Sequence, residues 1–218
     1  MSIKVSASIL SANFAHLQAE IDSVREAGAD MIHIDVMDRH FVPNLTFGAP
    51  VVKGLKTDLP FDIHLMVENP ENYIEDFAGA LPGGRRPHGD VITVHVEVCK
   101  HLHRVIQQIK AAGFKASVAL NPATSLTLIE DIVDELDMVL LMTVNPGFSG
   151  QKFISSVLDK VRELRASFPD LDIEVDGGVD DKTASLCIGA GANVLVSASY
   201  LFGSPNRKMA VASLKMVS

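Results

Sequence analysis

The sequence contains no tryptophan, only two cysteines, and fewer basic than acidic residues. Its 19 Lys and Arg residues against 27 Asp and Glu residues give a formal net charge of −8. This balance argues against nucleic acid or an anionic membrane as the main partner, because both attract basic surfaces. The sequence also lacks an uninterrupted apolar run of the ~18 residues that a membrane-spanning helix needs.

The two cysteines, Cys99 and Cys187, do not stand in a spacing typical of metal or redox sites. Two unpaired thiols fit a reducing compartment, and the first residues lack the charged and apolar regions of a signal peptide. We therefore expect a cytoplasmic location. Because 47% of the 218 residues are hydrophobic, the chain can bury a sizeable core, and we expect a single domain over residues 1–218.

Short runs typical of β-strands alternate with amphipathic helical patterns along the whole chain. The predicted strands are Val5–Ser8, Met31–Val36, Phe61–Met66, Val91–His95, Ala116–Leu120, Met138–Thr143, Asp172–Val175 and Val194–Val196. The predicted helices are Phe14–Ala27, Pro50–Lys56, Glu71–Gly79, His101–Ala112, Leu126–Glu135, Ser155–Ala166, Thr183–Ala190 and Met209–Lys215. Several of the strands are continuously apolar, which is typical of parallel strands buried on both faces.

Eight strand–helix units share the chain, and about 27 residues per unit is a workable spacing for parallel strands joined by helices. The pattern predicts an α/β protein with a (β/α)8 TIM barrel near the lower size limit of that fold. A doubly wound open sheet is the alternative. The polar segment Leu81–Gly89 is predicted to be a loop on the face away from the active site. Arg85 and Arg86 are then surface charges rather than phosphate ligands.

Polar side chains appear at the carboxyl ends of the predicted strands, which meet at one rim of a barrel. His33 and Asp35 are two residues apart on one strand, so their side chains point the same way. His64 comes from the next strand, and Asp176 would face them across the mouth. This set suits Zn²⁺, Fe²⁺, Mn²⁺ or Co²⁺. A histidine within a strand is more often a hydrogen-bonded core residue, so the pattern alone leaves both interpretations open.

Glycines and small residues follow the last three predicted strands. They lie in the segments Asn145–Gln151, Gly177–Gly178 and Ser197–Ser199. Glycines let backbone N–H groups approach an anion closely, and the loops after strands seven and eight are the usual phosphate site of barrels. Three adjacent loops favour a phosphate site over the alternative that these glycines only shape tight turns.

Five segments resemble the signature segments of the ribulose-phosphate 3-epimerase family. They are Ser6–Phe14, His33–Asn44, Asp62–Val67, Met142–Phe153 and Glu174–Gly178, in order along nearly the whole chain. The resemblance implies a metal-dependent enzyme of the pentose phosphate pathway that interconverts D-ribulose 5-phosphate and D-xylulose 5-phosphate through a 2,3-enediolate. It also implies one divalent metal ion as cofactor, a small ketose phosphate as partner, and a homo-oligomer, either a dimer or a hexamer.

The same resemblance implies roles for individual residues. It places His33, Asp35, His64 and Asp176 on the metal, with Asp35 and Asp176 as the catalytic acid/base pair. The residues that it places at the substrate are Ser8, Met37, His64, Met66, Met142, Gly147, Phe148, Ser149, Gly150, Gly177, Gly178, Ala198 and Ser199. Two opposed carboxyl groups agree with epimerisation, which removes a proton from one face of a carbon and returns it to the other.

The chain departs from the family pattern at three positions where glycine is usual. The three residues are Arg39, Ser149 and Ala198. Arg39 would be strained if its backbone φ angle is positive. Because these departures lie near the predicted substrate site, a related epimerase that acts on D-allulose 6-phosphate is the near alternative to the pentose phosphate enzyme. A metal-dependent hydrolase on the same barrel and a sugar-phosphate-binding barrel without catalysis are the alternatives from other classes.

Overall fold

A computed structural model of the protein describes residues 2–81 and 89–216. Eight parallel strands in these ranges pair in chain order and close into a barrel through the pairing of the last strand with the first. The strands are β1 (Lys4–Ser8), β2 (Met31–Met37), β3 (Phe61–Met66), β4 (Val91–His95), β5 (Lys115–Leu120), β6 (Met138–Met142), β7 (Asp172–Asp176) and β8 (Val194–Ser197). The predicted α/β class and (β/α)8 TIM barrel are confirmed, and the doubly wound sheet is excluded.

Helices follow most strands on the outside of the barrel. They are α1 (Leu17–Glu26), α2 (Ala49–Val52), α3 (Ile74–Ala80), α4 (Leu102–Ala111), α5 (Leu158–Ser167), α6 (Thr183–Ala190), α7 (Ser199–Phe202) and α8 (Arg207–Leu214). Short 3-10 turns precede several of them, such as Pro70–Asn72 before α3. Among the described residues, no helix has the length and apolar character needed to cross a membrane. The predicted surface charges Arg85 and Arg86 lie outside the described residues, and the assignment of residues 1–218 to one domain stays a prediction.

One predicted helix is wrong, because Leu126–Glu135 forms two separate 3-10 turns. The turns are Leu126–Leu128, which the Ser125 side chain caps, and Val133–Glu135. The segment is rich in β-branched residues, which lower helix propensity. Its last turn also carries acidic rather than basic side chains, which the negative end of a helix disfavours.

The barrel interior changes from apolar to polar along its axis. Met31, Val91, Met138 and Val194, which begin the four even-numbered strands, form an apolar cluster at the bottom. Layers of four side chains from alternate strands are typical of TIM barrels. In the next layer, four polar side chains from the odd-numbered strands are fully buried; they are Ser6, Asp62, Ser117 and Glu174. Because buried polar groups are costly unless they are paired, this layer indicates that the interior supports a polar site above it.

Candidate active site

Four polar side chains meet at the carboxyl ends of β2, β3 and β7. His33 Nε2 lies 3.4 Å from Asp35 Oδ1 and 3.8 Å from Asp176 Oδ2. His64 Nδ1 lies 3.6 Å from each of the same two oxygens. The structure therefore brings all four predicted metal ligands together, with one ligand atom of each within 4.8 Å of the others.

The spacing of this cluster fits a divalent metal ion. Bonds of about 2.0–2.2 Å to a tetrahedral ion place neighbouring ligand atoms about 3.3–3.6 Å apart, close to the 3.4–3.8 Å separations above. His33 Nε2 and His64 Nδ1 are buried and have no hydrogen-bond partner within residues 2–81 and 89–216. In a histidine with only a structural role in the core, these nitrogen atoms would normally be hydrogen-bonded. The geometry therefore favours the metal interpretation.

The electrostatics of the cluster also suit a cation. Burial would lower the pKa of His33, but the carboxylates of Asp62 and Asp35 raise it well above its ordinary value. Burial would raise the pKa of Asp35, but the charges of the neighbouring His33 and His64 lower it. The carboxylates thus stabilise positive charge at this point. A divalent cation would replace the protons of the imidazoles, because a ligating histidine is neutral.

A second group of buried residues supports His33 from below. Asp62 Oδ2 lies 2.7 Å from His33 Nδ1 and accepts a hydrogen bond of 2.7 Å from Ser6 Oγ. Burial and the charge of Asp62 raise the pKa of Glu174 well above its ordinary value. With its Nδ1 facing Asp62, His33 is oriented to offer Nε2 to the metal, as is usual for metal-binding histidines.

Sequence reasoning missed this supporting group, although a signal was present. Asp62 stands two residues before His64 on β3, and Glu174 stands two residues before Asp176 on β7. Residues two apart on a strand share a face. The alternation of side chains along β3 and β7 therefore predicts that Asp62 and Glu174 lie on the interior face, one layer below a predicted ligand.

A different pair of residues lies behind His64. His64 Nε2 lies 2.9 Å from Nε2 of His95, the last residue of β4, and His95 Nδ1 lies 3.1 Å from Glu97 Oε2. Burial lowers the pKa of His95 to about 4. Burial would raise the pKa of Glu97, but hydrogen bonds from His95, Thr124 and the Asn121 backbone lower it to about 2.

The low pKa of Glu97 predicts a pH-dependent contribution to stability. We expect Glu97→Gln to lower the free energy of unfolding by about 2 kcal/mol at pH 7, since hydrogen bonds to a charged group are lost. The pKa of about 2 in the folded protein is below the ordinary value of 4.5. The contribution is therefore fully present above pH 4.5 and is lost as the pH falls toward 2. Urea unfolding of both proteins from pH 7 to pH ~3.5 checks this, and a constant difference would contradict it.

A cavity of about 690 Å³ opens above the four predicted ligands. Asp35 and Asp176 lie in its wall, whereas His64 is fully buried and does not line it. The other predicted substrate residues all line the cavity; they are Ser8, Met37, Met66, Met142, Gly147, Phe148, Ser149, Gly150, Gly177, Gly178, Ala198 and Ser199. Lys152 lines it too, and sequence reasoning did not single out this cation.

The three departures from the family pattern differ in their backbone. Arg39 has a φ of 63°, and among the described residues the only other non-glycine with a positive φ is Asn69. Ala198 has a φ of −115°, so a Cβ is tolerated there, and Ser149 also lies outside the left-handed region. Arg39 therefore sits in the strained conformation that the sequence suggested. Its side chain is not among the described residues that line the cavity.

This strain predicts that Arg39→Gly stabilises the protein. We expect the free energy of unfolding to rise by about 0.5–1 kcal/mol, because glycine adopts a positive φ without steric cost. Arg39→Ala is the matched control, since alanine removes the same side chain but keeps the strain. Chemical denaturation of the three proteins measures the difference, and an equal gain in both variants would rule out strain as its cause.

The fold and the site together define a TIM-barrel protein with a candidate metal centre of two histidines and two aspartates at the mouth of the barrel. The chain belongs to the ribulose-phosphate 3-epimerase family, a model of which matches residues 4–202. The chain is 53% identical to the ribulose-phosphate 3-epimerase of Bacillus subtilis over 98% of both proteins. It is 47% identical to that of Methanocaldococcus jannaschii, over 98% of this chain and 90% of the relative.

Solved structures of more distant proteins share the fold. KGPDC from Streptococcus mutans superposes with a TM-score of 0.71 at 14% identity, covering 99% of this chain and 96% of that protein. The 3-hexulose-6-phosphate synthase of Salmonella typhimurium gives a TM-score of 0.68 at 17% identity, covering 99% and 98%. At these identities the comparison supports the barrel alone.

Proposed function

We propose that the protein is a metal-dependent sugar-phosphate 3-epimerase, an isomerase that interconverts D-ribulose 5-phosphate and D-xylulose 5-phosphate. The observation that carries the proposal is the placement of two carboxyl groups, Asp35 on β2 and Asp176 on β7. Both line one cavity, and both approach the same pair of imidazole nitrogens. The names of the relatives above supply the substrate.

Two carboxyl groups are what inversion at C3 of the ketose requires. The C3 hydrogen lies next to the C2 carbonyl, so its removal as a proton leaves a 2,3-enediolate. Asp35, ionised and held by a 2.6 Å hydrogen bond from Ser8 Oγ to Oδ2, removes the proton from one face. Asp176 returns a proton to the opposite face, and the roles reverse for the other epimer. A bound divalent cation would supply Lewis-acid stabilisation of the negative charge that develops on the oxygens.

The rest of the cavity suits a phosphorylated sugar. Three methionines, Met37, Met66 and Met142, line it, and their polarisable thioethers surround the reacting carbon without offering a competing proton. The phosphate would lie against the loops that follow β6, β7 and β8. The residues that line the cavity there are Gly147–Gly150, Lys152, Gly177–Gly178 and Ala198–Ser199. Glycine-rich backbone and a nearby cation both suit a bound anion.

Further properties follow from membership of the family. The four ligands accept Zn²⁺, Fe²⁺, Mn²⁺ or Co²⁺, because nitrogen and carboxylate oxygen suit each of these ions. A cytoplasmic location agrees with Cys99 and Cys187 remaining as free thiols. The homo-oligomer, whether a dimer or a hexamer, stays a prediction.

Turnover of two substrates by metal-analysed protein tests the proposal. D-ribulose 5-phosphate and D-allulose 6-phosphate are followed by NMR with the metal-loaded protein and with chelator-treated protein as the control. We expect epimerisation of the pentose phosphate, loss of turnover after chelation and recovery after the ion is returned. Equal or faster turnover of the hexose phosphate would show that the assignment of D-ribulose 5-phosphate as the substrate is wrong. Release of a hydrolysis product would favour the hydrolase, and binding without turnover would favour the non-catalytic barrel.

A further inference from the structure

The two ring nitrogens of His64 face different partners. Nδ1 points to the carboxylates of Asp35 and Asp176, and Nε2 lies 2.9 Å from His95 Nε2. The two imidazole planes are nearly parallel, at 25° to each other. At this distance one of the two Nε2 atoms must carry a proton and the other must accept it, because two lone pairs or two N–H groups would repel.

Metal binding decides which nitrogen carries the proton. Nδ1 of His64 can bind a cation only through a lone pair, so the proton of its neutral ring lies on Nε2. His95 Nε2 is then the acceptor, and the proton of His95 lies on Nδ1. That N–H points to Glu97 Oε2 at 3.1 Å, and an ionised carboxylate can only accept. With the protons placed in this way, both the His64–His95 and the His95–Glu97 contacts have one donor and one acceptor.

We infer that His95 and Glu97 are positioning residues for the metal centre, which fix His64 in the tautomer that presents its Nδ1 lone pair to the cation. The inference rests on the proposed function, since it assumes that His64 binds a metal. It assigns roles to two residues outside the four predicted ligands. The resulting relay, defined as His64, His95 and Glu97, runs around the barrel from β3 through β4 to the turn that follows β4.

His95 is placed to orient a ligand and not to act as one. Its side chain is fully buried, and both of its ring nitrogens face partners other than the cavity. The Phe41 ring covers it, with the two ring centroids 4.6 Å apart. His95 is also absent from the described residues that line the cavity. The geometry therefore does not place His95 as a fifth metal ligand.

The far end of the relay is held rigidly. Glu97 Oε1 accepts hydrogen bonds from the backbone N–H of Asn121, at 2.8 Å, and from Thr124 Oγ1. The Lys160 ammonium in turn donates to the carbonyl oxygens of Asn121, Pro122 and Thr124, at 3.1, 2.8 and 2.6 Å. The loop after β5 thus fixes the carboxylate, and the carboxylate fixes the tautomer of His95.

The two metal-binding histidines are supported differently. His33 faces a carboxylate directly, because Asp62 lies 2.7 Å from its Nδ1. His64 Nε2, on the side away from the proposed metal, reaches a carboxylate only through the imidazole of His95. Loss of His95 therefore leaves the N–H of His64 buried without an acceptor, while the support of His33 is unchanged.

Zn²⁺ affinity of His95 variants, measured by competition with a chromophoric chelator, tests the inference. We expect His95→Leu to weaken Zn²⁺ binding by about 10–100-fold, the usual effect of removing an outer partner of a metal ligand. His95→Gln should stay within about threefold of the parent protein, because its amide oxygen accepts from His64 and its NH₂ donates to Glu97. Rescue by glutamine separates orientation through hydrogen bonds from a loss of packing, which both variants share.

Nitrogen-15 NMR of histidine-labelled, Zn²⁺-loaded parent protein gives a second readout that needs no variant to fold. We expect the proton of His95 on Nδ1 and that of His64 on Nε2. The reverse assignment would overturn the inference, as would Zn²⁺ affinity in His95→Leu equal to that of the parent.

The matched control is His103→Leu. His103 forms a surface pair with Glu135, its Nε2 2.9 Å from the carboxylate oxygen, so its loss removes a histidine–carboxylate contact remote from the site. This variant should bind Zn²⁺ like the parent. Failure of both the parent and the control to bind Zn²⁺ would overturn the metal site itself, whereas normal binding in those two and in His95→Leu would overturn only the inference.

Discussion

Asp176→Asn and Asp35→Asn are each expected to lower the rate of epimerisation by about 10³-fold, within the range of 10²–10⁴ typical of general acid–base catalysis. Asparagine keeps the shape of the side chain and one oxygen that can face the ion. It cannot accept or return a proton at catalytic rates. The loss should therefore appear mainly in kcat, and the Zn²⁺ content measured for each variant shows whether the ion is still held.

The two variants should differ from each other in isotope exchange. In D₂O, the carboxyl group that remains can still exchange the C3 hydrogen on the face that it serves. Asp176→Asn should therefore exchange the C3 hydrogen of one epimer for deuterium, and Asp35→Asn should do so for the other epimer. Little interconversion of the epimers is expected in either case. Loss of the C3 proton signal in NMR, followed separately from each pure epimer, measures this complementarity.

The control for both variants is Asp181→Asn. Asp181 is exposed and lies just beyond β7, outside the described residues that line the cavity. It should epimerise like the parent. Full turnover by both Asp35→Asn and Asp176→Asn would refute the mechanism of two carboxyl groups. Exchange of the same epimer by both variants would refute the placement of the two groups on opposite faces.

Gly177→Ala is expected to lower the free energy of unfolding by about 3 kcal/mol. Gly177 has a φ of 119°, which costs an alanine roughly 1–2 kcal/mol. A Cβ at this position would also lie 2.4 Å and 2.7 Å from the two methyl groups of Val144. Val144 is buried, and overpacking of this kind costs about 1–3 kcal/mol. Because both residues line the cavity, we also expect a higher KM for the sugar phosphate.

Gly150→Ala is the matched control, because Gly150 has a φ of 75° but an added Cβ would meet no described atom within 4 Å. It should lose only about 1 kcal/mol. The double variant Val144→Ala/Gly177→Ala should lose about 1–2 kcal/mol less than the sum of its single variants, since the clash is relieved. Additive losses, measured by urea unfolding, would show that steric contact with Val144 is not the cause.

The sequence was most informative about the strands and their carboxyl ends. The apolar runs place all eight strands within one residue of their observed bounds at either end, because buried parallel strands have no polar face to blur the pattern. Closure of the barrel then brings His33, Asp35, His64 and Asp176 together without further information. The departure from the family's usual glycine explains why Arg39 could be identified as strained before its φ was known.

The remaining features depend on contacts that are remote in sequence. His95 ends β4 just as other polar residues end their strands, yet its role follows only from the 2.9 Å contact with His64. Lys152 follows the glycines after β6 and gives no signal of its own until the cavity is known. The segment Leu126–Glu135 has helical periodicity in its apolar residues, but its β-branched and acidic residues oppose a continuous helix.

The contact between Lys160 and three carbonyl oxygens has a consequence for how the protein responds to its ionic surroundings. A cluster of carbonyls of this kind resembles a cage for a free monovalent cation, but here the positive charge is covalently attached to α5. A tethered charge has a high effective concentration that dilution or dialysis does not change. The loop that anchors Glu97 is therefore built to keep its shape whether potassium or sodium is abundant or scarce.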